Sequence, residues 1–164
     1  MTQSTPTPNL LGQETVLAHV RQDLEQSGRA ALGPPLRMPT LRGWGLTSCA
    51  QAIAAETSAR HVFHLSARSE LRWQRDLVQL TRQLDLKERH LRRPGDPLLA
   101  VRRWLRQHDD WLLILDDVQQ LDRIQPLIAP LEQGRILLLL QGPTESPENW
   151  PPVRSVAPLN ALAS

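Results

Sequence analysis

The chain holds a single cysteine, Cys49, and a single lysine, Lys87, among its 164 residues. One cysteine excludes an internal disulfide and any cysteine-rich zinc cluster, and such usage fits a reducing compartment, so the sequence reads as cytoplasmic. Long apolar runs are missing as well: the longest, Trp111 to Leu115 and Ile136 to Leu140, are five residues each. A bilayer needs about 20. The stretch Met1 to Asn9 has no positive charge and no apolar block, which argues against a secretory leader. Internal repeats and low-complexity blocks are absent. No membrane partner is expected.

What remains is an ordinary globular composition, 40% hydrophobic and 22% charged with a net charge of +2. A chain of this length suits one domain and buries about 68–70% of its extended surface, so it needs no metal or disulfide to hold a core. Nearly all of its 19 basic residues are arginines, matched by 17 acids. Net charge is therefore a weak signal for nucleic acid.

Residues 1–9 have little to bury and read as a disordered tail, with one domain over 10–164. Val16, Leu17, Val20 and Leu24 recur at helical spacing over Gln13 to Ser27, and Gly28 ends that helix. Gly33, Pro34 and Pro35 mark Gly28 to Arg37 as a loop, followed by a short strand over Met38 to Arg42. Leu46 to Ser58 is an alanine-rich helix, His61 to Ser66 a strand, and Glu70 to Leu86 an amphipathic helix capped by Ser69, with Trp73, Leu77, Leu80 and Leu84 on one face. Asp96 and Pro97 start a helix running to His108. Trp111 to Val118 and Arg135 to Leu140 are aliphatic runs suited to strands buried on both faces. Leu121 to Leu131 fits a helix broken by Pro126 and Pro130, Gln141 to Pro152 is a loop, and Val153 to Val156 is a last strand. This alternation predicts a doubly wound, mostly parallel five-stranded α/β sheet with helices on both faces.

Ligands of such sheets bind at the carboxyl ends of the strands. Three segments fall there. Gly43-Trp44-Gly45-Leu46-Thr47 stands where a phosphate loop, G-x-x-x-x-G-K and then Ser or Thr, would wrap its amides around phosphates and add a lysine charge. The two glycines are two apart instead of five, so the loop is expected to be too short, and Leu46 replaces the lysine. Thr47 could still face a metal. Leu115-Asp116-Asp117 ends a strand in two carboxylates, which either position Mg²⁺ or water in a nucleotidase or cap the next helix. The third segment, Gln141-Gly142-Pro143, offers no charged side chain before Glu145. His61, His64, His90 and His108 lack metal-ligand spacing, and His64 reads as packed or half-exposed. Cys49, Ser48 and Thr47 have no identifiable partner base, so core or cap roles are expected of them.

These residues resemble the nucleotide-binding core of STAND NTPases, the NB-ARC-like class of P-loop signalling ATPases of bacterial regulators. The likeness runs from Leu11 to Ala163. Leu11-Gly12-Gln13-Glu14 is similar to the family's leading motif of an apolar residue, Gly, Arg, Glu, with Gln13 for arginine. Ala100 to Leu105 and Trp111 to Val118 resemble its helix and Walker B strand. Leu121 to Leu131 and Gly134 to Leu140 resemble the helix and strand that follow, where Leu139-Leu140-Gln141 stands in place of Thr-Ser-Arg. Val156-Ala157-Pro158-Leu159 resembles the family's last strand. The losses all fall on groups that would contact the nucleotide.

The resemblance therefore implies a degenerate Walker A and a non-catalytic pseudo-NTPase domain, a scaffold or protein-interaction module in bacterial signalling or defence. Catalytic residues and cofactors are expected to be none. Gly43, Gly45, Thr47, Asp116 and Asp117 would be vestigial nucleotide contacts, with Asp116 a metal ligand only if Mg-nucleotide binds, and Trp44 would fill the vacated pocket or contact a partner. The family's helical lid and winged-helix parts have no counterpart in 10–164, which implies a shortened protein or part of a longer chain. Two alternatives stay open: an ATP- or ADP-binding core with an unconventional phosphate loop, and a nucleic-acid module built on Arg82, Arg89, Arg92, Arg93, Arg102, Arg103 and Arg106. Those arginines read more simply as solvated helix faces paired with acids.

Overall fold

The computed structural model describes residues 14–34, 46–86, 96–129, 131–141 and 145–156. In chain order these form α1 (Glu14–Ser27), β1 (Arg29–Gly33), α2 (Leu46–Glu56), β2 (His61–Ser66), α3 (Glu70–Gln83), α4 (Asp96–Gln107), β3 (Trp111–Val118), α5 (Leu121–Ile128), β4 (Arg135–Leu140) and β5 (Arg154–Ser155). The strands make one five-stranded sheet in the order β2-β3-β4-β1-β5, and every pairing is parallel. The doubly wound α/β architecture expected from the alternation is therefore present. The expected tail, residues 1–9, lies outside the described residues.

Successive side chains of a strand point to opposite faces. On one face Leu113 and Leu115 of β3 and Ile136, Leu138 and Leu140 of β4 pack with Trp73 and Leu77 of α3, Val101 and Leu105 of α4 and Ile124 and Leu127 of α5. On the other, Leu112, Ile114, Leu137 and Leu139 meet Leu17, Val20 and Leu24 of α1 and Leu46, Cys49, Ala50 and Ile53 of α2. Burial on both faces explains why β3 and β4 read as unbroken aliphatic runs. Ser69 caps α3 as expected, its hydroxyl accepting from the Arg72 amide.

One strand contradicts the sequence reading. Gly28 to Arg37 was expected to be a loop, yet Arg29–Gly33 forms β1, with all five residues buried. The strand lies between β4 and β5 and has apolar clusters on both sides. Packing there outweighs the poor strand propensity of Ala30, Ala31 and Gly33. The strand expected at Met38 to Arg42 falls outside the described residues. Pro126 also does not break its helix: α5 continues through it to Ile128.

The amino edge of the sheet is closed by two buried groups. Arg29, 8% exposed, donates to the carbonyls of Gly28 (2.8 Å), Gly134 (3.0 Å), Leu131 (2.7 Å) and Gln133 (3.2 Å), and its guanidinium lies 5.9 Å from the centre of the Trp150 ring. Burial lowers its pKa, but a guanidinium keeps its charge in a protein. Beside it, the Trp111 indole N–H donates to the carbonyls of Leu105 and His108. Far from this edge in sequence, Asp23 of α1 accepts two bonds from Arg154 of β5, at 2.9 and 3.0 Å. That bidentate pair fastens the first described helix to the edge strand.

Gly134 has a positive φ of 67°, and a methyl group at its Cβ position would overlap the Trp111 indole. Gly134→Ala is expected to destabilise the fold by about 2–4 kcal/mol, through left-handed strain and overpacking together. Urea unfolding checks this, and a loss within the noise of an exposed substitution would contradict it.

Candidate functional site

The chain leaves β1 toward α2 and on to β2, across β4 and β3, whereas it leaves β4 in the opposite direction, past β1, to β5. Adjacent strands whose connections leave in opposite directions mark the place where sheets of this kind bind ligands, a crevice at the carboxyl ends. Gly33 of β1, Gln141 after β4 and Asp116-Asp117 at the end of β3 all belong to that edge.

Because β1 ends at Gly33 and α2 begins at Leu46, the connection at the phosphate-loop position covers residues 34–45. The expectation of a short loop rests on the spacing of Gly43 and Gly45, which the position of β1 leaves unchanged. Gly43, Trp44 and Gly45 lie outside the described residues, while Thr47 is exposed in the first turn of α2. Leu46, at the position where the motif would require lysine, is 8% exposed and packs into the apolar cluster with Leu17, Val20 and Ile53. That position is part of the core.

Asp116 is bound on both oxygens. Its Oδ1 accepts from the Asp117 amide at 2.7 Å, and its Oδ2 lies 3.4 Å from Nε2 of His64. His64 belongs to β2, which pairs with β3 on the side away from β4 and β1. The carboxylate therefore engages a group on the far side of its strand from the crevice. Asp117 sits in a register irregularity between Leu115 and Val118, with φ at 54°, a region seldom occupied by residues other than glycine. Neither aspartate caps α5, whose N-cap is Gln120. The capping alternative is thus excluded.

Other described charges at this edge are paired within it. Asp76 accepts from the Ser66 amide at 2.8 Å and pairs with Arg72 at 3.3 Å. Arg123 donates to the Ala67 carbonyl at 2.7 Å and pairs with Glu70 at 3.4 Å. After β4, the Gln141 amide donates to the Val118 carbonyl. Cys49 is fully buried, and desolvation raises its thiol to about 11, so it is held as an unreactive thiol. Among the described residues no cluster of three or more His, Cys, Asp or Glu side chains could hold a metal ion, and no helix is long and apolar enough to cross a membrane.

Sequence reasoning missed the His64–Asp116 couple. His64 is half-exposed, as expected, but its partner is fixed by register: Ser66 pairs with Asp116 and His64 with Ile114, which sets the imidazole on the same face as the carboxylate. Aligning the two strands at their starts, His61 against Trp111, would have revealed it. His61 and His108 lie instead in an aromatic cluster with Phe63 and Trp104, the His108 and Trp104 rings stacked 3.9 Å apart. This cluster occupies the other end of β2.

Fold and site together define a doubly wound, all-parallel α/β domain with an acid-tipped interior strand. No model of a known protein family matches the chain, and neither does any curated protein sequence.

Hydrogen bonding to Asp116 raises the His64 pKa above the ordinary 6.5; burial opposes this, while the Asp116 and Asp76 charges reinforce it and that of Arg72 opposes it. Since the folded value is raised, the couple stabilises the fold fully below the ordinary imidazole range and loses that contribution as pH rises through the raised value. The side chain is 48% exposed, so solvent screening keeps the effect on stability small. An NMR titration of the His64 imidazole is expected to give a midpoint above 6.5 that falls in Asp116→Asn. A midpoint unmoved by that substitution would contradict the pairing.

Proposed function

We propose that this chain is a non-catalytic, STAND-like pseudo-NTPase domain that works as a scaffold or protein-interaction module in bacterial signalling or defence, acting in the cytoplasm with a protein partner or with further domains of a longer chain. The observation that carries the reading is the burial of Leu46. A triphosphate needs a cation at the head of the helix that follows the first strand. There the domain has an apolar side chain packed into its core, and its one lysine, Lys87, lies far along the sequence.

The geometry of the β3 acids supports the same reading. In a working P-loop enzyme the strand-end acid serves Mg²⁺ or water beside the phosphates. Asp116 instead satisfies its oxygens with the Asp117 amide and His64. A metal role for Asp116 would require that couple to open.

A second reading, ATP or ADP binding through an unconventional loop, is favoured by one observation. The connection at residues 34–45 has length enough to surround a phosphate and contains Arg37 and Arg42. One experiment separates the two. Isothermal titration with Mg-ATP and with Mg-ADP is expected to show no saturable heat up to roughly 1 mM ligand, which corresponds to binding weaker than about 4 kcal/mol. Saturable micromolar binding would reject the pseudo-NTPase reading in favour of the second.

A further inference from the structure

Helix α3 carries two stripes with the same spacing. Trp73, Leu77, Leu80 and Leu84 face the core, as their period of four, three and four requires. Leu71, Arg75, Val78 and Arg82 repeat that period on the opposite side of the helix, where a surface helix normally presents only polar groups. Leu71 is 70% exposed, and a groove of about 290 Å³ runs along this side, lined by Leu71, Gln74, Arg75, Val78, Gln79 and Arg82.

Among the described residues the charges along the stripe are unanswered. Arg72 pairs with Asp76, and Arg123 with Glu70. Arg75 and Arg82 are exposed and have no acidic partner among the described residues. They stand two turns apart on one face, about 10 Å along the axis. A surface of this kind combines apolar area with two fixed cations that gain from a partner of opposite sign.

We infer that the outer face of α3 is a docking surface for an acidic amphipathic helix of another protein. Its acids would meet Arg75 and Arg82 while its apolar side chains cover Leu71 and Val78. This deepens the interaction-module reading and rests on it. Charge argues against two other occupants. A second copy docking by the same face would bring arginine against arginine. The adjoining segment at residues 87–95 carries Lys87, Arg89, Arg92 and Arg93 against Glu88, which is the same sign as the stripe. A single-stranded nucleic acid would satisfy the arginines, but such sites stack bases on aromatic side chains, and the lining of this groove has no aromatic side chain, its apolar members being Leu71 and Val78.

The probe is a labelled synthetic peptide as long as α3 itself, 14 residues, with leucine and glutamate in the same period of four, three and four. The full chain is titrated into it by fluorescence anisotropy. Saturable binding is expected, weakened about tenfold or more by Arg75→Glu with Arg82→Glu, weakened by added salt, and reduced by Leu71→Ala. The three side chains are exposed, and far-UV circular dichroism confirms that each variant is folded. Absence of saturation, or a charge-reversed variant that binds as well as the parent, would overturn the assignment. Tighter binding of a single-stranded RNA of equal length through the same arginines would overturn it too, in favour of a nucleic-acid partner. The nucleotide titration keeps the two proposals apart. Peptide binding by a chain that also binds Mg-ATP leaves the docking face standing and removes the pseudo-NTPase reading. A chain that binds neither loses the docking face alone.

Discussion

A parallel sheet covered on both faces must be supplied with apolar side chains from both sides, and this demand shapes the domain more than any other. The first residue of α2 is enlisted to meet it. Leu46 joins Leu17, Val20, Leu24 and Ile53 over Leu112, Ile114, Leu137 and Leu139, and a buried leucine contributes roughly 1.5–3 kcal/mol of transfer free energy. A lysine at the same place would have to keep its ammonium in solvent or face a phosphate. On the proposed reading, core formation and nucleotide chemistry compete for one position, which Leu46 gives to the core.

The same economy of charge marks the carboxyl edge. Asp76, Asp116 and Arg123 are each engaged by a backbone group as well as by a side chain. The amino edge follows a different rule: Arg29 is held by four carbonyls and the Trp150 ring, in a bend that needs the positive φ of Gly28 and Gly134. The outer face of α3 is the contrasting surface, with cations and a leucine left to solvent.

Much of this was legible in the sequence, for a physical reason. β3 and β4 fall on the expected residues because buried parallel strands are written as aliphatic runs bounded by polar residues, and β2, at the sheet edge, because Phe63 and Leu65 alternate with exposed residues. β1 was not legible: Ala30-Ala31-Leu32 carries neither alternation nor branching, and Gly33 and Pro34 read as a turn. Its strand state comes from neighbours more than a hundred residues away, Ile136 to Leu139. Pro126 misled in the other direction. The single intrahelical bond lost with its N–H falls near the end of α5, where it costs little. The pairing of His64 with Asp116 needed the register of two strands, which composition does not encode.

The account turns on whether residue 46 belongs to the core or to a ligand. Leu46→Lys measures this directly, with unfolding free energy and Mg-ATP affinity read on the same variant. Burying an ammonium among Leu17, Val20 and Ile53 is predicted to lower stability by about 2–4 kcal/mol with no gain of nucleotide binding. Unchanged stability together with newly acquired micromolar nucleotide affinity would show that the position faces a working phosphate site, and the account would fail.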